Sequence, residues 1–188
     1  MSSTALVVAV VILIVVVAAI VLFAMQAQRR RQLQERFGPE YQRTVTETGD
    51  TRKAERVLGD RVKHRQELDI QELDPAARTR YAESWRVIQT RFVDDPRGAV
   101  READVLVTSV MRDRGYPTDG FEQQAEVVSV DHAPLVDNYR NAHRISTADA
   151  AGNASTDDLR QAMVHYRALF NELLGQSATQ GGRREEMK

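Results

Sequence analysis

The chain has 188 residues, a formal net charge of −1 and no cysteine. That composition excludes disulfides and thiolate chemistry, and it withholds the broad basic field that nucleic-acid binding draws on. All 26 basic and 27 acidic side chains lie after residue 28, so the first 28 residues and the remaining 160 suit different solvents.

From Ala5 to Met25 the sequence is an apolar run of Val, Ile, Leu, Ala and Phe. As a helix rising ~1.5 Å per residue it is long enough to cross a hydrocarbon core of ~30 Å, where a helix is the one single-segment way to satisfy the backbone. A cleaved signal peptide fits poorly. No Lys or Arg precedes the run, it exceeds the usual ~7–15 residues, and Ala24 and Ala27 lack A-x-A spacing. Arg29, Arg30, Arg31 and Arg36 follow the run, whereas the short "MSST" end carries only its α-amino group. Flanking cations favour the cytoplasmic side and sit at headgroup level, where they contact anionic lipid. The reading is therefore an uncleaved anchor over 1–28 in the cell (inner or plasma) membrane, N-terminus outside and body in the cytoplasm.

The body reads as helix throughout, because apolar residues recur every three or four positions and no stretch alternates with a period of two. The anchor helix is expected to continue as a stalk to Gly38-Pro39, with a short helix from Pro39 to about Thr48 closed by Gly49. In "DTRKAERVLGDRVKHRQEL", Asp50 caps a helix whose narrow stripe is Ala54, Val57, Leu58, Val62 and Leu68. So thin a stripe makes either a solvated arm or one side of a helical hairpin, and Gly59 weakens it by ~1 kcal/mol relative to Ala. Residues 29–74 are thus a juxtamembrane stalk and charged arm.

A small antiparallel helical bundle is expected over 75–174. Asp74 and Pro75 open a helix with Ala77, Tyr81, Trp85, Ile88 and Phe92 along one face, and Asp95 and Pro96 open the next with Ala99, Ala103, Leu106, Val107, Val110 and Met111 inward. The short "VDDP" connection makes these two a hairpin, the nucleus of the domain. Gly115 and Pro117 end it. A shorter helix covers Phe121 to Val128, another about Ala133 to Thr147 with Leu135, Val136, Tyr139 and Ala142, and "AAGNAS" links to the last. That one opens on Ser155 and Asp158 in a capping box and buries Leu159, Ala162, Met163, Tyr166, Phe170 and Leu173. From Gly175 the sequence has nothing to bury, and 175–188 is expected to be a disordered tail.

The segments "RYAESWRVIQTRFVDDPRGAV", "VMRDRGYP", "SVDHAPLVDNYRNAH" and "DLRQAMVHYRALFNELL" together resemble a family of uncharacterised bacterial proteins labelled only as membrane or secreted proteins. The resemblance spans roughly residues 37–174. It implies the same order of helical segments behind a single-pass anchor, and it brings no catalytic residue with it.

Three histidines, His132, His143 and His165, invite a metal site. No H-x-x-x-H or E-x-x-H pair shares a helix, and the competing role is a hydrogen bond within a core. The carboxylates Asp94 and Asp95 are explained by capping ahead of Pro96. Tyr116, between Gly115 and Pro117, is either a recognition element or a plug at the end of the bundle. Nucleotide-binding and hydrolase motifs are missing, so no cofactor, no metal and no nucleic-acid partner is expected. Two readings remain. In the first the chain is a membrane-anchored cytoplasmic module that binds a second protein. In the second it is a ligand-binding or enzymatic helical domain with a pocket near Trp85, Tyr139, His143 and His165. Convergence of those side chains on a cavity would favour the second, and separate contacts in a filled core the first.

Overall fold

A computed structural model describes residues 3–117 and 119–175, with side chains from residue 11 onward. Of the tail expected over 175–188, Gly175 is described as a turn residue after the last helix, and 176–188 lie outside the described residues. Among those described the fold is all-α, with eight helices and no strand. Contacts divide the chain into two compact units at Gly59/Asp60.

In the first unit, α1 runs without a break from Ser3 to Phe37. Its large apolar side chains from Val11 to Met25 are exposed, Phe23 at 74%. The helix is long and apolar enough to cross a membrane, and a bilayer would remove the penalty of leaving those side chains in water. Burial begins only at Leu33 and Phe37. Gly38 then takes a positive φ of 48°, and Pro39 opens α2 (Pro39–Thr48) from the first-turn position where its missing N–H costs nothing. Gly49 closes α2 in the left-handed conformation, its N–H reaching the Val45 carbonyl at 2.9 Å. Asp50 accepts the Lys53 N–H at 2.7 Å at the start of α3 (Thr51–Glu67). Ala54 and Leu58 of the expected stripe are fully buried. Val57 and Val62 are half-buried, and Leu68 lies past the end of the helix.

The second unit holds the rest of α3 and then α4 (Pro75–Arg91), α5 (Pro96–Asp113), α6 (Phe121–Asp131), α7 (Ala133–Ala150) and α8 (Thr156–Leu173). The starts are locally determined. Asp74 accepts the N–H groups of Ala76 and Ala77, Asp95 accepts that of Gly98, and Ser155 and Asp158 complete a reciprocal capping box. The helices α4 and α5 form the expected hairpin, but α8 is central, packing on both α5 and α7, while α6 covers α7. The cause is α8's wide apolar arc, in which Leu169 joins the six residues expected to be buried. Helix α6 extends three residues past Val128, because Val130 is apolar and buried and the His132 N–H closes on the Val128 carbonyl at 2.7 Å.

The segment 68–74 is tied to this unit. The Gln71 N–H donates to the Arg114 carbonyl at 2.8 Å and Arg114 Nε returns to the Gln71 carbonyl at 3.0 Å. Gly115 is indispensable at the crossing. Its φ is +92°, and a Cβ there would stand 2.4 Å from the Asp69 carbonyl oxygen.

Candidate functional site

The aromatic and histidine residues singled out from the sequence go to separate places. Trp85, on the inner face of α4, is 5% exposed and stacks on Phe170 of α8 with ring centroids 4.7 Å apart. Tyr139, on α7, is buried and donates its hydroxyl to Gln124 Oε1 at 2.7 Å. Burial and the Asp104 charge hold its phenol well above the usual range. One turn on, the His143 ring lies flat on Phe121 at 3.8 Å, and Phe121 also meets Tyr139. His165 turns its Nδ1 to Asn138 Oδ1 at 2.9 Å. Tyr139 and His165 hydrogen-bond to different side chains, Trp85 stacks on Phe170, and only Tyr139 and His143 share a neighbour, the Phe121 ring, so the four do not line one cavity.

Tyr116 plugs the bundle end. It is 3% exposed, the Arg114 guanidinium stands 5.8 Å from its ring centroid, and its hydroxyl is 3.2 Å from His132 Nε2. His132 Nδ1 is in turn 3.1 Å from Glu172 Oε1. The neutral tautomer with its proton on Nδ1 satisfies all three groups, donating to the Glu172 carboxylate and accepting from Tyr116. The order resembles a carboxylate-oriented base, but the hydroxyl at its end is closed off from any substrate, and burial pushes that phenol up to about 12. The triad therefore locks the loop after α5 and the α6–α7 joint to the end of α8.

Burial holds the His132 imidazole below its ordinary value of 6.5, outweighing Glu172 and Asp131. The unfolded chain then binds this proton more readily than the folded chain. The stability so gained is complete above about pH 6.5 and is lost as pH falls through that value toward the depressed one. The urea midpoint of residues 29–188 should decline on acidification, and His132→Gln should flatten the decline. His165, also lowered by burial and by Arg144, leaves a residual slope of the same sign. An equal slope in wild type and His132→Gln would contradict the assignment.

Sequence reasoning passed over a polar pair that joins α5 to α8. Tyr166, fully buried on α8, donates to Asp104 Oδ1 at 2.7 Å, and burial with the Asp104 charge raises its phenol strongly. The available signal was register, since Asp104 follows Val100 by four and precedes Val107 by three on the buried face of α5.

Of the arginines that follow the apolar run, Arg29, Arg31 and Arg36 are exposed, and Arg30 Nε lies 3.5 Å from Glu55 Oε1. Asp94 and Asp95 do not form a site, since Asp95 is occupied as a cap. Among the described residues no group of three or more His, Cys, Asp or Glu is placed to hold a metal ion.

A concavity lies elsewhere among the described residues, along the seam between α4 and α5, where Tyr81, Ile88 and Leu106 of the expected inward stripes meet outward-facing valines, Leu106 being half-buried rather than fully inward. It is an open groove of about 690 Å³ lined by Tyr81, Val87, Ile88, Val105 and Leu106, with Ser84 and Ser109 between them and Arg101 and Glu102 at its margin. Val87 and Val105 are 66% and 65% exposed. These valines sit on the face opposite the core-facing stripe, so the inward-facing pattern alone did not mark them.

Comparison of the chain with protein-family models, with curated proteins and with solved structures gave no match.

Proposed function

We propose that the chain is a single-pass membrane protein whose helical body, on the cytoplasmic side, is a protein-interaction module. The observation that carries this reading is the α4–α5 groove. It offers the exposed side chains of Val87 and Val105 between two antiparallel helices, while the buried Tyr139 and Tyr166 hydroxyls are spent on Gln124 and Asp104. A floor of Val87, Ile88, Val105 and Leu106 with one Arg and one Glu at its margin suits an amphipathic helix of another protein, apolar face inward and charges of both signs along its edge. The apolar run of α1 supports the anchor, and the arginines after it support the orientation. An anchor raises the local concentration of this surface near membrane-bound partners without demanding any catalytic residue. The ligand-pocket alternative around Trp85, Tyr139, His143 and His165 draws no support from their separate contacts.

Photo-crosslinking in the protein's own membranes tests the proposal. A crosslinker at Ser84 or Ser109 should give a discrete heavier adduct, identified by mass spectrometry as a protein with an amphipathic helix. A crosslinker at the exposed Asp157 should not, and Val105→Glu should abolish the adduct. Adducts of equal yield from Asp157, or none from the groove, would refute it, and an adduct of twice the chain mass would replace the foreign helix with a second copy.

A further inference from the structure

Charge is divided unevenly over the second unit. The α4–α5 hairpin, residues 75–114, holds eight basic and six acidic side chains, whereas the remainder of 60–188 holds ten and 16. The excess sharpens at the groove, because the acidic side chains there are engaged. At the end away from the turn, Asp113 accepts the Tyr81 hydroxyl at 2.6 Å and so bridges α5 to α4. At the turn end, Glu102 pairs with Arg91 across the same seam. These two bridges mark the ends of the groove. Tyr81 and Arg91 are ten residues apart on α4, ~15 Å at the helical rise, which matches about three turns of a docked helix.

Three cations beside the groove are not engaged in this way. Arg80 shares a stripe of α4 with Ser84 and Val87 at steps of four and three, and Arg101 and Arg112 share one of α5 with Val105 and Ser109 at steps of four, four and three. All three arginines are exposed, and among the described residues no ion pair holds any of them. The charges of Arg80 and Arg112 are both felt at the Tyr81 hydroxyl, where they oppose the burial and the Asp113 contact that push its phenol up to about 12. The two therefore stand together at that end. Glu83 and Asp94 do not cancel them, since both line a second depression beyond Val87 that they share with Arg86 and Arg91. Resting on the reading of the groove as a docking surface for a helix of another protein, we propose that the acidic charges on that helix's edge are the ones recognised. Asp or Glu at one end of its apolar stripe meets Arg80 and Arg112, and at the other end meets Arg101. Rim charges of this kind speed the encounter and reject a helix with a basic edge, which would meet like charge at both ends.

The full-length protein in its own membranes, carrying the photo-crosslinker at Ser84 or Ser109, is the probe. Adduct yield should fall with added salt. Arg80→Glu combined with Arg112→Glu should lower it roughly ten-fold, about what two exposed ion pairs contribute, with helical content unchanged. Arg80→Gln with Arg112→Gln should lower it less, and Arg86→Glu, beyond Val87, should leave it within about two-fold. The crosslinked peptide, sequenced by mass spectrometry, should carry Asp or Glu at the ends of an apolar stripe spaced by threes and fours. A yield unchanged or raised by the double reversal and by the double neutralisation, or a stripe flanked by Lys or Arg, overturns the acidic preference while the groove still binds a helix. No adduct from either groove position overturns the docking reading itself, and the charge preference with it. An adduct of twice the chain mass overturns the acidic helix in favour of a second copy.

Discussion

Trp85→Ala is expected to lower the unfolding free energy of the helical body by ~3–5 kcal/mol, the usual cost of truncating a large buried aromatic ring. The ring is 5% exposed and lies against Phe170, joining α4 to the central helix α8. Removing it takes away both its own burial and the stacking partner of Phe170, and leaves a cavity that the helix ends cannot collapse to fill. Against a total of ~5–15 kcal/mol for a domain of this size, that loss removes much of the stability. Urea or thermal unfolding of residues 29–188, followed by circular dichroism, measures it. Trp85→Phe should retain part of the stacking and cost less. Val93→Ala, at a residue 82% exposed, should stay within ~0.5 kcal/mol. A Trp85→Ala cost below ~1 kcal/mol would show that the ring is not part of the core.

The second large effect concerns topology. A reporter fused after Lys188 should be active on the cytoplasmic side, because the run over Ala5–Met25 is followed by Arg29, Arg30, Arg31 and Arg36 and preceded by no basic side chain. Replacing Arg29, Arg30 and Arg31 together with Gln removes most of that asymmetry and should give a mixed population, read as activity of paired reporters that function on opposite sides. Activity on the far side alone, or a mature N-terminus near Gln28, would contradict the uncleaved, body-inside arrangement. This result is independent of the fold, since orientation is set while the apolar segment inserts and the body is still being made.

The contrast between these two predictions follows the range of the forces involved. Helix starts were legible because a cap acts over three residues. Asp74 before Pro75, Asp95 before Pro96 and Ser155 before Asp158 each supply an acceptor to N–H groups that have no other partner, whatever the rest of the chain does. The inward faces of α4, α5 and α8 were legible for a related reason: a period of 3.6 sorts apolar from polar side chains before any neighbour is known. The apolar run of α1 was the plainest case, since length and composition alone meet the requirement for crossing a bilayer.

Contacts between helices were a different matter. Tyr116, His132 and Glu172 meet across separations of 16 and 40 residues, and Asp104 meets Tyr166 across 62. Arg114 ties the carbonyls of Gln71 and Leu173 together from 43 and 59 residues away. No periodicity specifies which polar tips will face each other, because that depends on crossing positions set by the sum of many weak apolar contacts. The same holds for α3, whose charged sequence is compatible with an extended arm. Its start is tied to α1 and α2 by Glu55, which accepts the Tyr41 hydroxyl and faces Arg30. Taken by itself, the sequence determined the helices, their starts, their buried faces and the apolar segment, all of which rest on interactions within a few residues. Only the tertiary structure decided that α8 is the centre, that the histidines are spent on separate partners and that a groove lies open on the α4–α5 face, because those outcomes rest on distances between residues that the chain brings together only when it is folded.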